Sequence, residues 1–156
     1  MANTVTELYF KMKQLTAGGF IVNANSEIKY AIQKASDWAI ELNKDQLESG
    51  LDSFGNKISP GYKNFDYANE KNKRNKRPGF GVPDLKNTGG FYSGFYAKYD
   101  KNNISINSSD EKTPALIKKY GKEIFGLTKE SRNVFSDVVR EEIIKVIEQK
   151  TGLKAS

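Results

Sequence analysis

The residues of this chain that could do chemistry are of two kinds, a basic run and a scatter of carboxylates. The run is Lys71-Asn72-Lys73-Arg74-Asn75-Lys76-Arg77. Its clustered cations would attract a phosphate backbone through counterion release, whatever the base sequence. Phe65, Tyr67 and Phe80 lie close by in the chain, and such side chains can stack on bases. Lys71, Lys73, Arg74, Lys76 and Arg77 are therefore the candidate contacts to DNA or to an acidic protein partner. The plain alternative is a solvated loop, since like charges favour extension. The carboxylates Asp52, Asp66, Asp84, Asp110 and Glu111 match no calcium-loop or two-metal spacing. Asp84 and Asp110 read as ordinary turn residues. No nucleophile, acid and base fall into a recognisable constellation. The chain contains neither histidine nor cysteine. That excludes disulfides, thiolate chemistry, Cys/His zinc sites and His-based triads. A carboxylate-bound Mg²⁺ is the metal chemistry still open. The expectation is a protein without catalytic residues, metal or cofactor.

The elements that must position these residues follow from length and pattern. At 156 residues the chain has the length of one domain. Only 37% of it is hydrophobic, so either the core is economical or a partner covers part of the surface. The formal charge of +6 permits contact with nucleic acid or an acidic protein. No apolar run approaches the ~20 residues of a membrane span. The start, Met1-Ala2-Asn3-Thr4-Val5, lacks the layout of a secretory signal, and the expected site of synthesis and use is a cytoplasm.

Residues 1–25 form an N-terminal segment in which Leu8, Met12 and Leu15 have helical spacing from about Thr6, until Gly18-Gly19 breaks it. Ser26 is an N-cap candidate for a helix over 26–48. There Ile28, Ala31, Ile32, Ala35, Ala39 and Leu42 share a face, with Trp38 at its edge. Residues 49–87 read as one long basic loop, a length that is unusual unless functional or disordered. A β-hairpin is expected over 88–108. Its first strand, Phe91 to Tyr99, carries aromatics on both faces; its second runs from Ile104 to Asn107. Such aromatics belong in a core or at an interface. Phe91, Tyr92, Phe95, Tyr96 and Tyr99 are the candidate subunit-interface residues. Over 113–152, Thr113 and Pro114 suggest an N-cap and N1 pair for a short helix. Ile124-Phe125-Gly126-Leu127 reads as an apolar plug. A last helix from Thr128 follows, with Val134, Phe135, Val138, Val139, Ile143, Val146 and Ile147 as its apolar stripe and Gly152 as its C′ residue.

Several of these residues together carry a resemblance. Gly50-Leu51-Asp52-Ser53-Phe54-Gly55-Asn56-Lys57-Ile58 precedes Pro60-x-Tyr62. Then come the basic loop, Asp84-Leu85-x-x-Thr88-Gly89-x-Phe91, Lys112, and Tyr120-Gly121-x-x-Ile124-Phe125-Gly126-Leu127. This order, over roughly residues 27 to 130, resembles the tail-completion and head–tail joining proteins of tailed bacteriophages, notably those of Bacteroidetes hosts. The resemblance implies an α+β fold, with long N-terminal and C-terminal amphipathic helices packed on a small antiparallel β-sheet. It also implies a non-enzymatic virion protein, assembled in the host cytoplasm. Such a protein would form a ring of its own copies between portal-side connector proteins and tail proteins, with possible DNA contact in the channel and no membrane. Gly90, where an acidic or polar residue is usual, and the basic loop depart from the pattern.

Overall fold

The computed structural model describes residues 21–100 and 103–152; the helix expected near Thr6 lies outside them. The described residues form an α+β fold in which helices flank a two-stranded antiparallel sheet. In chain order the elements are α1 (Ile21–Glu48), α2 (Phe65–Arg74), α3 (Gly90–Ser93), β1 (Phe95–Asp100), β2 (Asn103–Ser108), α4 (Thr113–Tyr120) and α5 (Lys129–Thr151), with a 3₁₀ turn over Lys122–Ile124. Two compact units divide the chain: 36–135 is one, and 1–35 with 136–156 is the other.

Helix α1 begins at Ile21, so Ser26 lies inside it and is not its N-cap. Between Gly19 and Gly50 the chain has no glycine or proline, so nothing local forces a start at Ser26. The helix stops at Gly50, whose φ of 70° suits glycine. A Cβ there would also lie 2.7 Å from both Pro78 Cβ and Val82 Cγ1. The end of α1 and the far end of the loop thus touch at a residue with no side chain.

In the unit 36–135 the core is formed by Ala39, Leu47, Ile58, Phe91, Tyr92, Phe95, Ile106 and Ile124. Phe91, Phe95 and Phe125 are mutually in contact, with ring centroids 5.0–5.7 Å apart, the spacing at which tilted and edge-on rings attract. The buried face of α1 keeps the expected Ala31, Ala35 and Ala39 and extends beyond them. It includes Asn43, fully buried, and Gln46. Their amides bond to the backbone of the plug: Asn43 Nδ2 donates to Ile124 O (3.1 Å), Gly126 N to Asn43 Oδ1 (3.1 Å), Gln46 Nε2 to Gly126 O (3.2 Å) and Thr128 N to Gln46 Oε1 (2.8 Å). Two side chains on one turn of helix therefore hold a segment some 80 residues away in sequence, as buried peptide groups require.

The stretch read as one loop contains helix α2. Asn64 caps it by accepting from Tyr67 N, Asp66 lies in its first turn, and Lys71, Lys73 and Arg74 occupy its last. Each of these complements the helix dipole or its free N–H groups. The first strand also begins later than its aromatic pattern suggests. Gly89, at φ 91°, starts a helical turn closed by Ser93 N to Gly89 O and Gly94 N to Gly90 O. Only then does β1 pair with β2, from Phe95 opposite Ser108 to Asp100 opposite Asn103. Gly90 and Gly94 are close-approach positions. A Cβ would meet Asp110 Oδ2 at 2.7 Å in the first case and Ser108 Oγ at 2.7 Å in the second.

Thr113 is the first residue of α4 rather than its cap, and its hydroxyl is buried without a partner. The N-cap position falls on Lys112, and Asp110 closes the turn ahead of the helix, with Lys112 N donating to Asp110 Oδ1 (2.8 Å) and Thr113 N to Asp110 O (3.0 Å). Gly152 does close α5, at φ 65°, donating to Glu148 O. In the second unit, Ala31, Ala35 and Val146 are buried. The α5 stripe is less fully covered than its pattern suggests. Val138, Val139, Ile143 and Ile147 are half-buried, and Val134, in the unit 36–135, is exposed. No described helix is long and apolar enough to cross a membrane.

Candidate functional site

The basic run does not form one exposed loop. Helix α2 turns Lys71 inward, where it is 8% exposed. Its ammonium lies 2.5 Å from Asp84 Oδ1 and donates to Lys86 O at 2.5 Å. Asp84, equally buried, accepts at Oδ2 from Asn75 Nδ2 (3.3 Å) and at Oδ1 from Lys86 N (3.1 Å). Asn75 Nδ2 reaches Glu48 O at 2.8 Å as well. The Tyr92 hydroxyl closes the network by donating to Asp84 O at 2.5 Å. Arg77 is also engaged, 2.8 Å from Asp45 Oδ1 and 3.5 Å from Glu48 Oε2 on α1. Lys73 pairs along its own helix with Glu70. Of the five candidate cations, only Arg74 and Lys76 are exposed without an ion pair among the described residues. A phosphate-binding reading thereby loses Lys71 to burial and much of Arg77 to α1.

The carboxylates have turn duties. Asp52 accepts from Phe54 N and Asn56 N, both at 2.9 Å, while Asp84 and Asp110 hold the turns described above. No metal-holding group of three or more such side chains occurs among the described residues.

Beside the Lys71–Asp84 pair lies a cleft of about 190 Å³. Tyr62, Tyr67, Leu85, Phe91, Leu116 and Tyr120 supply its apolar walls; Lys71, Lys86, Lys112 and Asp110 line it too. Tyr62 and Tyr67 meet edge-on with centroids 4.9 Å apart. Burial, then the nearby Asp84 carboxylate, hold the Tyr62 and Tyr92 phenols well above the ordinary tyrosine range. Both stay neutral hydroxyls at physiological pH. Leu85 adopts a φ of 55°, the left-handed region that a branched side chain rarely occupies. Such strain persists only where surrounding bonds over-determine the backbone; here the flanking Asp84 and Lys86 are both tied into the Lys71 network.

The predicted interface aromatics divide. Phe91, Tyr92 and Phe95 are 6–9% exposed and belong to the core; Phe91 in the α3 turn meets Phe125 of the plug, and Tyr92 stacks on Phe95. Tyr96 and Tyr99 are half-buried. Among the described residues the exposed aromatics are elsewhere: Phe54 (75%), Phe65 (70%), Trp38 (56%), Phe80 (52%), Tyr30 (51%) and Tyr67 (43%). Phe65, the first residue of α2, and Phe80, in the loop after that helix, come together with ring centroids 5.4 Å apart. Their neighbourhood is visible in the sequence only as scattered aromatics; the pairing depends on α2 folding. Searches with protein-family models, curated proteins and solved structures give no match to this chain.

Proposed function

We propose that this chain is a structural virion protein of a tailed bacteriophage, a ring-forming component of the head–tail connector or tail. The observation that carries the assembly reading is the Phe65–Phe80 pair, exposed on a segment tied to α3 by the Tyr92–Asp84 bond and to α1 by the Asn75–Glu48 bond. Paired aromatics held in water by a tied-down backbone are a preorganised protein contact. The resemblance over residues 27 to 130 directs that contact to virion neighbours.

Particles purified on a density gradient from cells producing the phage should contain the chain in a fixed multiple per particle. Phe65→Ser with Phe80→Ser should leave unjoined heads and tails. Particles that lack the chain, or that join normally with both phenylalanines replaced, would overturn the proposal. Duplex DNA binding by Lys73, Arg74 and Lys76 is the competing reading. It requires binding that weakens steeply with salt and that fails in the triple alanine variant.

A further inference from the structure

The cleft beside Lys71 combines three features that packing alone does not require. The first is an ammonium with spare donor capacity. Lys71 Nζ has three N–H groups and two partners, Asp84 Oδ1 and Lys86 O. The side chain is nine-tenths buried and lines this cleft as well as a neighbouring one shared with Glu48, Asn75 and Asp84, so its third N–H is open to either. The second is charge. Lys86 is paired with Glu48, and Lys112 has no ion pair among the described residues; Asp110 is the one acid in the lining. Asp110 is already committed through Oδ1 to Lys112 N. With Lys71 matched by Asp84 and Lys86 by Glu48, Lys112 at the rim is the cation of the lining that would draw in an anion. The third is the strained Leu85, whose side chain forms part of the wall. Left-handed backbone at a branched residue is strained and tends to gather at ligand-holding segments.

We propose that this cleft is a binding site for a carboxylate carried on an apolar or aromatic group. The carboxylate accepts from Lys71 Nζ and is drawn in by Lys112, while the apolar part packs among Tyr62, Tyr67, Leu116 and Tyr120. A volume of about 190 Å³ is smaller than the ~300–1,000 Å³ of typical small-molecule pockets. It fits one anchoring residue of a peptide, presented either as a chain terminus or as an acidic side chain beside an aromatic one. That the peptide belongs to a virion neighbour rests on the assembly reading above; carboxylate recognition by the cleft does not.

The test is titration of the ¹⁵N-labelled full chain with 3-phenylpropionate and, separately, with its neutral amide. The carboxylate should shift the amide resonances of Leu85 to Gly89 and Leu116, and the neutral amide should bind about tenfold more weakly, since charge-assisted bonds are the stronger ones. Lys112→Glu, at the exposed rim, should weaken the carboxylate several-fold and leave the neutral amide unchanged. Lys71→Met, if circular dichroism shows it folded, should abolish the preference. Equal binding of acid and amide, or an unchanged Lys112→Glu variant, would overturn the proposal; the Lys112 arm decides even where Lys71→Met fails to fold. Two acetylated peptides separate the sources, one ending in phenylalanine with a free carboxylate, the other amidated with an internal aspartate before phenylalanine. Binding of either supports a peptide ligand and says which carboxylate it presents, and binding of neither overturns the peptide source. A cleft that binds nothing in a chain found in particles removes this inference alone. A cleft that binds in a chain missing from particles removes the virion reading alone.

Discussion

Lys71 changes meaning between sequence and structure more than any other residue. In the chain it is the first cation of a basic run. In the fold it is a buried half of an ion pair with Asp84, and the pair joins α2 to the segment ahead of α3. Breaking a buried pair from one side strands the other charge and typically costs about 3–5 kcal/mol. Lys71→Met should therefore lower the urea midpoint far more than Lys73→Met, whose partner Glu70 is exposed. The tyrosines make a second test at this scale. The Tyr62 and Tyr92 phenols are held above their ordinary value in the folded state, while the unfolded chain ionises near pH 10. Their contribution is complete below that pH and is lost as pH rises beyond it, because the unfolded state then releases protons the folded state keeps. Stability should fall with rising pH above about 10. Phenolate absorbance at 295 nm should show a late-titrating fraction that appears together with unfolding. Tyr62→Phe should flatten that alkaline slope.

Among the elements, α1 does more than present an apolar stripe. Asn43 and Gln46 make four bonds to the peptide groups of 124–128. Asn43→Ala would remove both bonds to Asn43 and leave Ile124 O and Gly126 N buried without partners, at about 1–3 kcal/mol for each unsatisfied group. We expect a loss of about 2–4 kcal/mol by chemical denaturation, and faster amide exchange at Gly126. Helix α2 shows why the middle of the chain reads as a loop from sequence alone. Its capping signals, Asn64, Asp66 and the basic last turn, were present in the sequence. Its apolar face was not: the buried positions are Ala68 and Lys71, and a lysine does not register as part of an apolar stripe. The α3 turn was hidden for another reason. Alternating aromatics suit a strand, but the left-handed Gly89 and the tight contacts at Gly90 and Gly94 bend the chain before pairing can start.

At the level of the molecule, the decisive contrast lies between aromatics that are enclosed and aromatics that are displayed. Phe91, Tyr92 and Phe95 build the core of the unit 36–135, whereas Phe54, Phe65 and Phe80 face solvent. Replacing Phe65 and Phe80 by serine should change stability within about 0.5 kcal/mol, because neither supports the core. The same double variant should abolish joining of particles, and light scattering during assembly would report it. A large loss of stability would instead mean that the pair is structural.

The sequence by itself determined the long helix ending near Leu47, the hairpin, the short helix from about Thr113 and the last helix, while the resemblance implied the α+β class. Long amphipathic periodicity, turn residues and an alternating hairpin are local signals, each readable within a few turns of chain. It also determined the absence of histidine and cysteine chemistry, which is a matter of composition. Only the tertiary structure decided which charges are free and which aromatics are available. Lys71 meets Asp84 across 13 residues, Arg77 meets Asp45 across 32, and Phe65 meets Phe80 across a helix and a loop. Such pairings depend on the backbone path between the partners, and no local pattern in either segment specifies it.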